Sequence, residues 1–154
     1  NTTSLTHEIA AVLVGFLGDV SGIHFNLFER NTKESLCLFA RAYGKIEYYF
    51  SGRMAVLVLN SDDFTISGAK YEDANELVSV LRGINGVSVA VFIRPSRNGS
   101  GIKVSLRSNG EADVSALAAR HGGGGHRRAA GFDFTGAPEE ILPVLTAEIE
   151  ESLI

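Results

Sequence analysis

Four consecutive glycines, at positions 122 to 125, constrain this chain more than any other stretch. Glycine loses more conformational freedom on ordering than any other residue, so a run of it inside a folded domain needs a local offset. One offset is a main chain that comes close to a ligand, with no Cβ in the way and amide hydrogens ready to donate. The following residues are His126, Arg127, Arg128, Ala129 and Ala130. Cations and the start of a short helix are therefore expected where the glycines end, and such a place suits a phosphate. A flexible linker is the alternative reading. Linkers of that kind are usually longer and flanked by polar sequence, whereas this run lies between Leu117-Ala118-Ala119 and Ala129-Ala130.

The charge distribution agrees with an anionic ligand. Net charge is −4 over 154 residues, which gives no overall pull toward nucleic acid or an anionic membrane. From Arg94 to Arg128, however, there are seven basic residues against two acidic ones, while the remainder has seven against sixteen. A basic patch around the glycines is what an anion needs, with ordinary solvated charges on a strand and a helix as the plainer account. The length suits one domain. The single Cys37 can form no intrachain disulfide and is expected as a buried small residue in a reducing compartment. No run reaches the length of a membrane span and no signal peptide is evident. The chain opens on Asn1-Thr2-Thr3-Ser4 rather than Met, and is expected to be a piece of something longer.

Periodicity predicts helices first. Residues 6–18 read as an almost uniformly apolar helix capped by Thr6 and stopped by Gly18. A second helix is expected over 22–30 behind Ser21, with Ile23, Leu27 and Phe28 inward. A third runs from Asn31-Thr32 to about Tyr43, with Leu36, Phe39 and Tyr43 on one face. The period then changes. Residues 46–50 and 54–59 read as a hairpin around Ser51-Gly52. A short helix is expected from Ser61-Asp62-Asp63, and another over 73–82 stopped by Gly83. Residues 87–94 form a strong strand, 98–101 a hairpin loop, and 102–107 a strand with Lys103, Ser105 and Arg107 on the face opposite Ile102, Val104 and Leu106. Asp113 caps a helix over 114–121, residues 132–135 form a short strand, and a helix over about 138–152 closes the chain. The expected fold is α/β (α+β): a mixed sheet of roughly five strands flanked by helices, with the composition boundary near residue 44.

Complete catalytic machinery is missing from the residues. His7, His24, His121 and His126 are scattered, Asp62-Asp63 has no nearby histidine, and Cys37 has no partner for a zinc site. Neither a phosphate-loop lysine motif nor a nucleophile elbow occurs. What remains is an anion cradle. Arg107, near the end of its strand, can grip a phosphate with its planar fork. The amides of residues 122–125 add donors, and His126 can donate to phosphate or ribose. Arg127 and Arg128 are auxiliary candidates that can steer a nucleotide without touching it. His121 reads as a helix C-terminal residue that favours the macrodipole.

The sequence Asp113-Val114-Ser115-x-Leu117-Ala118-x-x-x-Gly122-Gly123-Gly124-Gly125-His126-x-x-Ala129-Ala130-Gly131-Phe132, preceded by Val104-Ser105-Leu106-Arg107-Ser108, resembles the DHHA1 domain, the second domain of the DHH-family phosphoesterases. The resemblance extends from about residue 44 to the end, and residues 1–43 resemble helices that link the catalytic DHH lobe to it. It implies a two-lobed enzyme. The other lobe carries an Asp-His-His motif, absent from this sequence, and two manganese ions. This lobe holds the substrate. It places phosphate or terminal-nucleotide binding on Arg107, Gly123, Gly124, Gly125 and His126. Many relatives carry Asn where this chain has Ser79, so that auxiliary side contact departs from the pattern.

The resemblance is nearest to the oligoribonuclease and adenosine-bisphosphate phosphatase branch, whose members are often described as exopolyphosphatase-related. It implies hydrolysis of short oligoribonucleotides or 3′-phosphoadenosine 5′-phosphate by a cytoplasmic enzyme, with no metal or catalytic residue in this chain and no turnover by the chain alone. A homodimer is compatible with it. The rival expectation is a non-catalytic nucleic-acid module of the kind appended to alanyl-tRNA synthetases, and a cyclic-dinucleotide phosphodiesterase is a further variant.

Overall fold

A computed structural model describes residues 2–29, 31–97 and 99–153. It divides the chain into two compact units, Asn1–Lys33 and Glu34–Ile154. The expected helix end at residue 30, the loop position 98 and the packing of the Phe28 side chain lie outside what is described.

The first unit is helical. Helix α1, Ser4–Leu17, starts one turn earlier than the sequence implies because Thr3, not Thr6, is its cap; the two threonines exchange backbone-to-hydroxyl bonds as a capping box. Gly18 ends it in the left-handed conformation (φ 65°), as expected. Helix α2, Val20–His24, is capped by Asp19 rather than Ser21, since the Asp19 carboxylate accepts from the Gly22 amide. It continues into a π-helical turn over Phe25–Glu29. Ile23 and Leu27, expected inward, are exposed, and no residue of α1 or α2 is buried. No single described helix is long and apolar enough to cross a membrane.

The second unit is a six-stranded open mixed sheet in the order β1-β2-β3-β4-β6-β5. Its strands are β1 (Glu47–Tyr49), β2 (Met54–Val58), β3 (Val89–Pro95), β4 (Ile102–Ser108), β5 (Gly124–His126) and β6 (Ala129–Phe134). Only β2 and β3 run parallel. A parallel pair requires a crossover. Helix α4 (Ser61–Ser67), a 3₁₀ turn (Tyr71–Glu76) and helix α5 (Leu77–Arg82) provide it. The expected helix over 73–82 is thus half 3₁₀ and half α.

Helices α6 (Val114–Arg120) and α7 (Pro138–Ser152) cover one sheet face. Their Val114, Leu117, Ile141, Leu145 and Ile149 pack on Val89, Val91, Val104, Leu106 and Phe132. On the other face, α3 (Lys33–Tyr43) and α5 bury Leu38, Ala42, Leu77, Val78 and Leu81 against Ala55, Leu57, Ala90 and Phe92 of β2 and β3. The buried stripe of α3 is Ser35, Leu38 and Ala42, so Leu36 and Tyr43 are exposed instead of inward. Cys37, adjacent to that stripe but off it, is exposed and free rather than buried. The second helical layer centres on β2 and β3 and touches β4 only through α5. Over β4, β6 and β5 the same face stays open: Lys103, Ser105, Arg107, Ala129 and Gly131 are half-buried, and Gly124, His126 and Asp133 are exposed.

Candidate phosphate-binding face

The sixth strand, unforeseen in the sequence, lies within the glycine run itself. Asp113 caps α6 as expected, accepting from the amides of Ser115 and Ala116. The helix then ends on the first two glycines, whose amides donate back to it: Gly122 to the Ala119 carbonyl and Gly123 to the Ala118 carbonyl. Those two protons are committed to the helix end. Gly124 and Gly125 go on into β5, which pairs with β6 across the turn at Arg127-Arg128. No helix starts after the glycines; a strand edge takes its place. The Ser115 hydroxyl donates to the Gly125 carbonyl at 3.1 Å and ties the strand to α6.

The four glycines serve different needs. Gly122 sits at φ 76°, and Gly125 at φ 148°. A Cβ on Gly123 would overlap the Gly131 carbonyl and the Phe132 side chain, and one on Gly125 would lie 2.5 Å from the Ala129 carbonyl oxygen. Packing therefore accounts for Gly123 and Gly125, and the left-handed backbone for Gly122. A Cβ on Gly124 would meet nothing within 4 Å, and its φ is unexceptional. Its lack of a side chain leaves open the surface above it.

Strand register collects the remaining candidates. Directly opposed residues share a sheet face. His126 lies opposite Ala129, Ala129 opposite Arg107, and Arg107 opposite Ala90. The adjacent row on that face is Gly124, Gly131, Ser105 and Phe92. Arg107 and His126 thus stand two strands apart, about 10 Å between backbones. The floor between and beside them is Ala129, Gly131, Ser105 and Gly124, so no side chain larger than a hydroxymethyl fills it. Gly131 is required there, because a Cβ would lie 2.6 Å from the Val104 carbonyl oxygen.

The electrostatics favour an anion. Arg107 is half-buried, and its Nη1 donates to the Leu106 carbonyl at 3.0 Å. Among the described residues no carboxylate pairs with it. Burial first, and then the nearby charge of Arg82, pull its pKa below the ordinary arginine value. A guanidinium does not deprotonate in practice, so two close cations without a counterion amount to a standing attraction for an anion. Arg82, in the last turn of α5, is a residue that sequence reasoning missed, because a basic side chain before a stopping glycine reads simply as a helix end. The Asn109 amide fixes that corner by donating to the carbonyls of Arg82 and Val87. Ser79 lies one turn before Arg82 and is exposed on α5.

The other candidates fall outside this floor. Arg127 is ion-paired to Glu111 at 3.0 Å, and Arg128 is exposed at the same turn, where its carbonyl accepts from Ser108. His121 binds the Glu148 carboxylate at 2.9 Å and stacks on Phe132, fastening α6 to α7. Among the described residues no group of three or more His, Cys, Asp or Glu gathers to hold a metal ion.

Comparison with known proteins places this geometry in context. The DHHA1 domain model matches residues 52–153. The bifunctional oligoribonuclease and PAP phosphatase NrnA of Thermus thermophilus is 30% identical over 154 residues, covering 97% of this chain and 45% of that protein. An exopolyphosphatase-related protein from Bacteroides fragilis has a crystal structure that superposes with a TM-score of 0.85 at 25% identity, covering 98% of this chain and 44% of that one. A pGpG-specific phosphodiesterase from Vibrio cholerae shares the fold at a TM-score of 0.58 and 11% identity, covering 99% of this chain and 52% of that one. The chain therefore spans about half the length of the relatives it matches.

Proposed function

From the premise that this chain belongs to the DHHA1 domain family, we propose that its open sheet face is the phosphate-holding half of a hydrolase site for short oligoribonucleotides or 3′-phosphoadenosine 5′-phosphate. The observation that carries this reading is the shared row of Arg107 and His126 over a floor of small residues, with Arg82 beside Arg107 and, among the described residues, no carboxylate paired to either arginine. Arg107 grips the phosphate with its fork, Arg82 adds charge, and His126 donates from the strand edge. Gly124 lets the ligand approach the main chain. Similarity to an oligoribonuclease and PAP phosphatase over 97% of this chain supports the substrate class and favours an enzyme lobe over a synthetase appendage.

The family resemblance implies manganese. The residues of this chain do not fit a metal centre, since no sufficient set of His, Cys, Asp or Glu converges among those described. The work assigned to this lobe is therefore binding and orientation, with the metal centre on the catalytic lobe of the same protein. A reducing, cytoplasmic setting is in keeping with an exposed, free Cys37.

Titration of the chain with 3′-phosphoadenosine 5′-phosphate tests the site. Binding is expected, and Arg107→Ala or Arg82→Ala should weaken it by about 1–3 kcal/mol, the range for a lost charge-assisted contact. Unchanged affinity in both variants would remove this face from the site. Manganese-dependent turnover is expected only when the upstream lobe is joined to the chain, and turnover by the chain alone would contradict the division of labour.

A further inference from the structure

We propose that the open face carries a second phosphate subsite, centred on Arg94 and Lys103, so that a linear oligonucleotide lies along β4 with one phosphate at each end of the strand. This rests on the reading of the Arg107 row as a phosphate site and extends it to ligand length.

Arg94 is the residue that calls for an explanation. It is only 5% exposed, yet among the described residues no carboxylate pairs with it. Its Nη1 donates to the Tyr71 carbonyl and its Nη2 to the Asn75 side-chain carbonyl, each at 2.9 Å, and its Nε has no partner. The Tyr71 ring lies 3.9 Å from the guanidinium carbon. Every one of these contacts is neutral; the Glu72 carboxylate acts on Arg94 only through space and is itself paired to Arg97, so the buried positive charge has no carboxylate in direct contact among the described residues.

Beside it is an open hollow of about 300 Å³ lined by Tyr71, Arg94, Ser96, Arg97, Lys103 and Asp133. Three of these residues are cationic and one is acidic. Arg97 is occupied by Glu72 at 2.7 Å, whereas Asp133 is 3.9 Å from Lys103 with its side chain 66% exposed. Lys103 is the register partner of Arg94 and alternates onto the same face as Ser105 and Arg107.

Spacing decides what the two ends can share. Lys103 and Arg107 are four residues apart on one strand, about 13 Å at the usual rise. One phosphate cannot reach both, but two phosphates of a single strand can. Between them the face offers Ser105, Gly131 and Gly124, which leave room for a sugar-phosphate backbone. Among the described residues no free aromatic ring is presented for base stacking between them: the Tyr71 ring is already flanked by Arg94 and by Phe64. Recognition along this track is therefore of phosphates rather than of base identity.

The test compares 5′-AMP with the trinucleotide pApApA on the 154-residue chain, with thermal melting to confirm that each variant is folded. Lys103→Glu should weaken trinucleotide binding about tenfold or more and leave AMP within about twofold. Asp133→Asn should strengthen trinucleotide binding about threefold by removing the one acidic group in the hollow. Arg107→Ala should weaken both ligands. Equal losses for AMP and trinucleotide in Lys103→Glu, or no loss in either, would overturn the second subsite. If Arg107→Ala still loses AMP in that case, the Arg107 site stands alone; if it does not, both readings fall. Inorganic phosphate that competes as well as the trinucleotide would show that the hollow takes a free ion only, and would also overturn the track.

Discussion

At the scale of single residues, the glycine run separates into positions with different physical reasons, and the separation can be measured. Gly123→Ala and Gly125→Ala push a Cβ into the β6 backbone and should each lower the unfolding free energy by about 1–3 kcal/mol, the usual penalty of overpacking. Gly124→Ala meets open space and should leave stability unchanged or raise it by up to about 1 kcal/mol, because alanine restricts the unfolded chain. Its nucleotide affinity should nevertheless fall. Urea denaturation beside ligand titration checks both halves of the claim, and a Gly124→Ala variant that binds normally would mean the open surface is not used. Arg107→Ala should likewise change stability by less than about 0.5 kcal/mol, since among the described residues the guanidinium has no ion-pair partner to lose and donates only to the adjacent Leu106 carbonyl.

At the scale of elements, the strongest anchor lies away from the site, where α4 meets α3. Asp63 is fully buried, closes the capping box of α4 with Asn60, and takes Lys45 and Arg41 as partners. Burial alone would raise its pKa, but the Lys45 bond, the Asn60 amide and Arg41 outweigh burial and hold it below the ordinary 3.8. A depressed carboxylate contributes stability that is present above the unfolded value and is lost as pH falls through the folded one. Asp63→Asn should therefore cost about 1–2 kcal/mol at neutral pH, below the figure for a sealed pair because Arg41 and Lys45 are each about a third open to solvent. The gap between the two proteins should close below pH 3.8, and denaturation curves recorded across that range check it. Element identity was legible wherever a local signal existed. The alternation of Ile102, Val104 and Leu106 against Lys103, Ser105 and Arg107 fixed the faces of β4, and Asp113 announced α6. Strand β5 was illegible because glycine carries no strand propensity, and pairing with β6 creates the strand. The cap of α1 lies three residues before the expected one because Thr3 and Thr6 both suit it, and α3 turns a different face inward because Leu36 is as apolar as Leu38.

At the scale of the whole molecule, the two buried clusters draw on residues from Leu38 to Ile149 and on none of the first unit. Residues 34–154 produced alone should therefore keep a cooperative unfolding transition and bind nucleotide; calorimetry and titration decide it. The candidate site was half legible at this scale. Arg107 and His126 stood out by residue type and resemblance, but their common face follows from strand order, which passes from β4 to β6 before β5 and is invisible along the sequence. Arg82 was hidden for the same reason, because its nearness to Arg107 arises only when α5 lies against the sheet.

The central claim, that the open face of β4, β6 and β5 holds the phosphate end of a nucleotide, is tested most directly by following backbone amide resonances during titration with 3′-phosphoadenosine 5′-phosphate. Shifts should concentrate on Ser105, Arg107, Gly124, His126, Ala129 and Gly131. Shifts confined to α6 and α7 on the opposite face, with this set unmoved, would contradict the account.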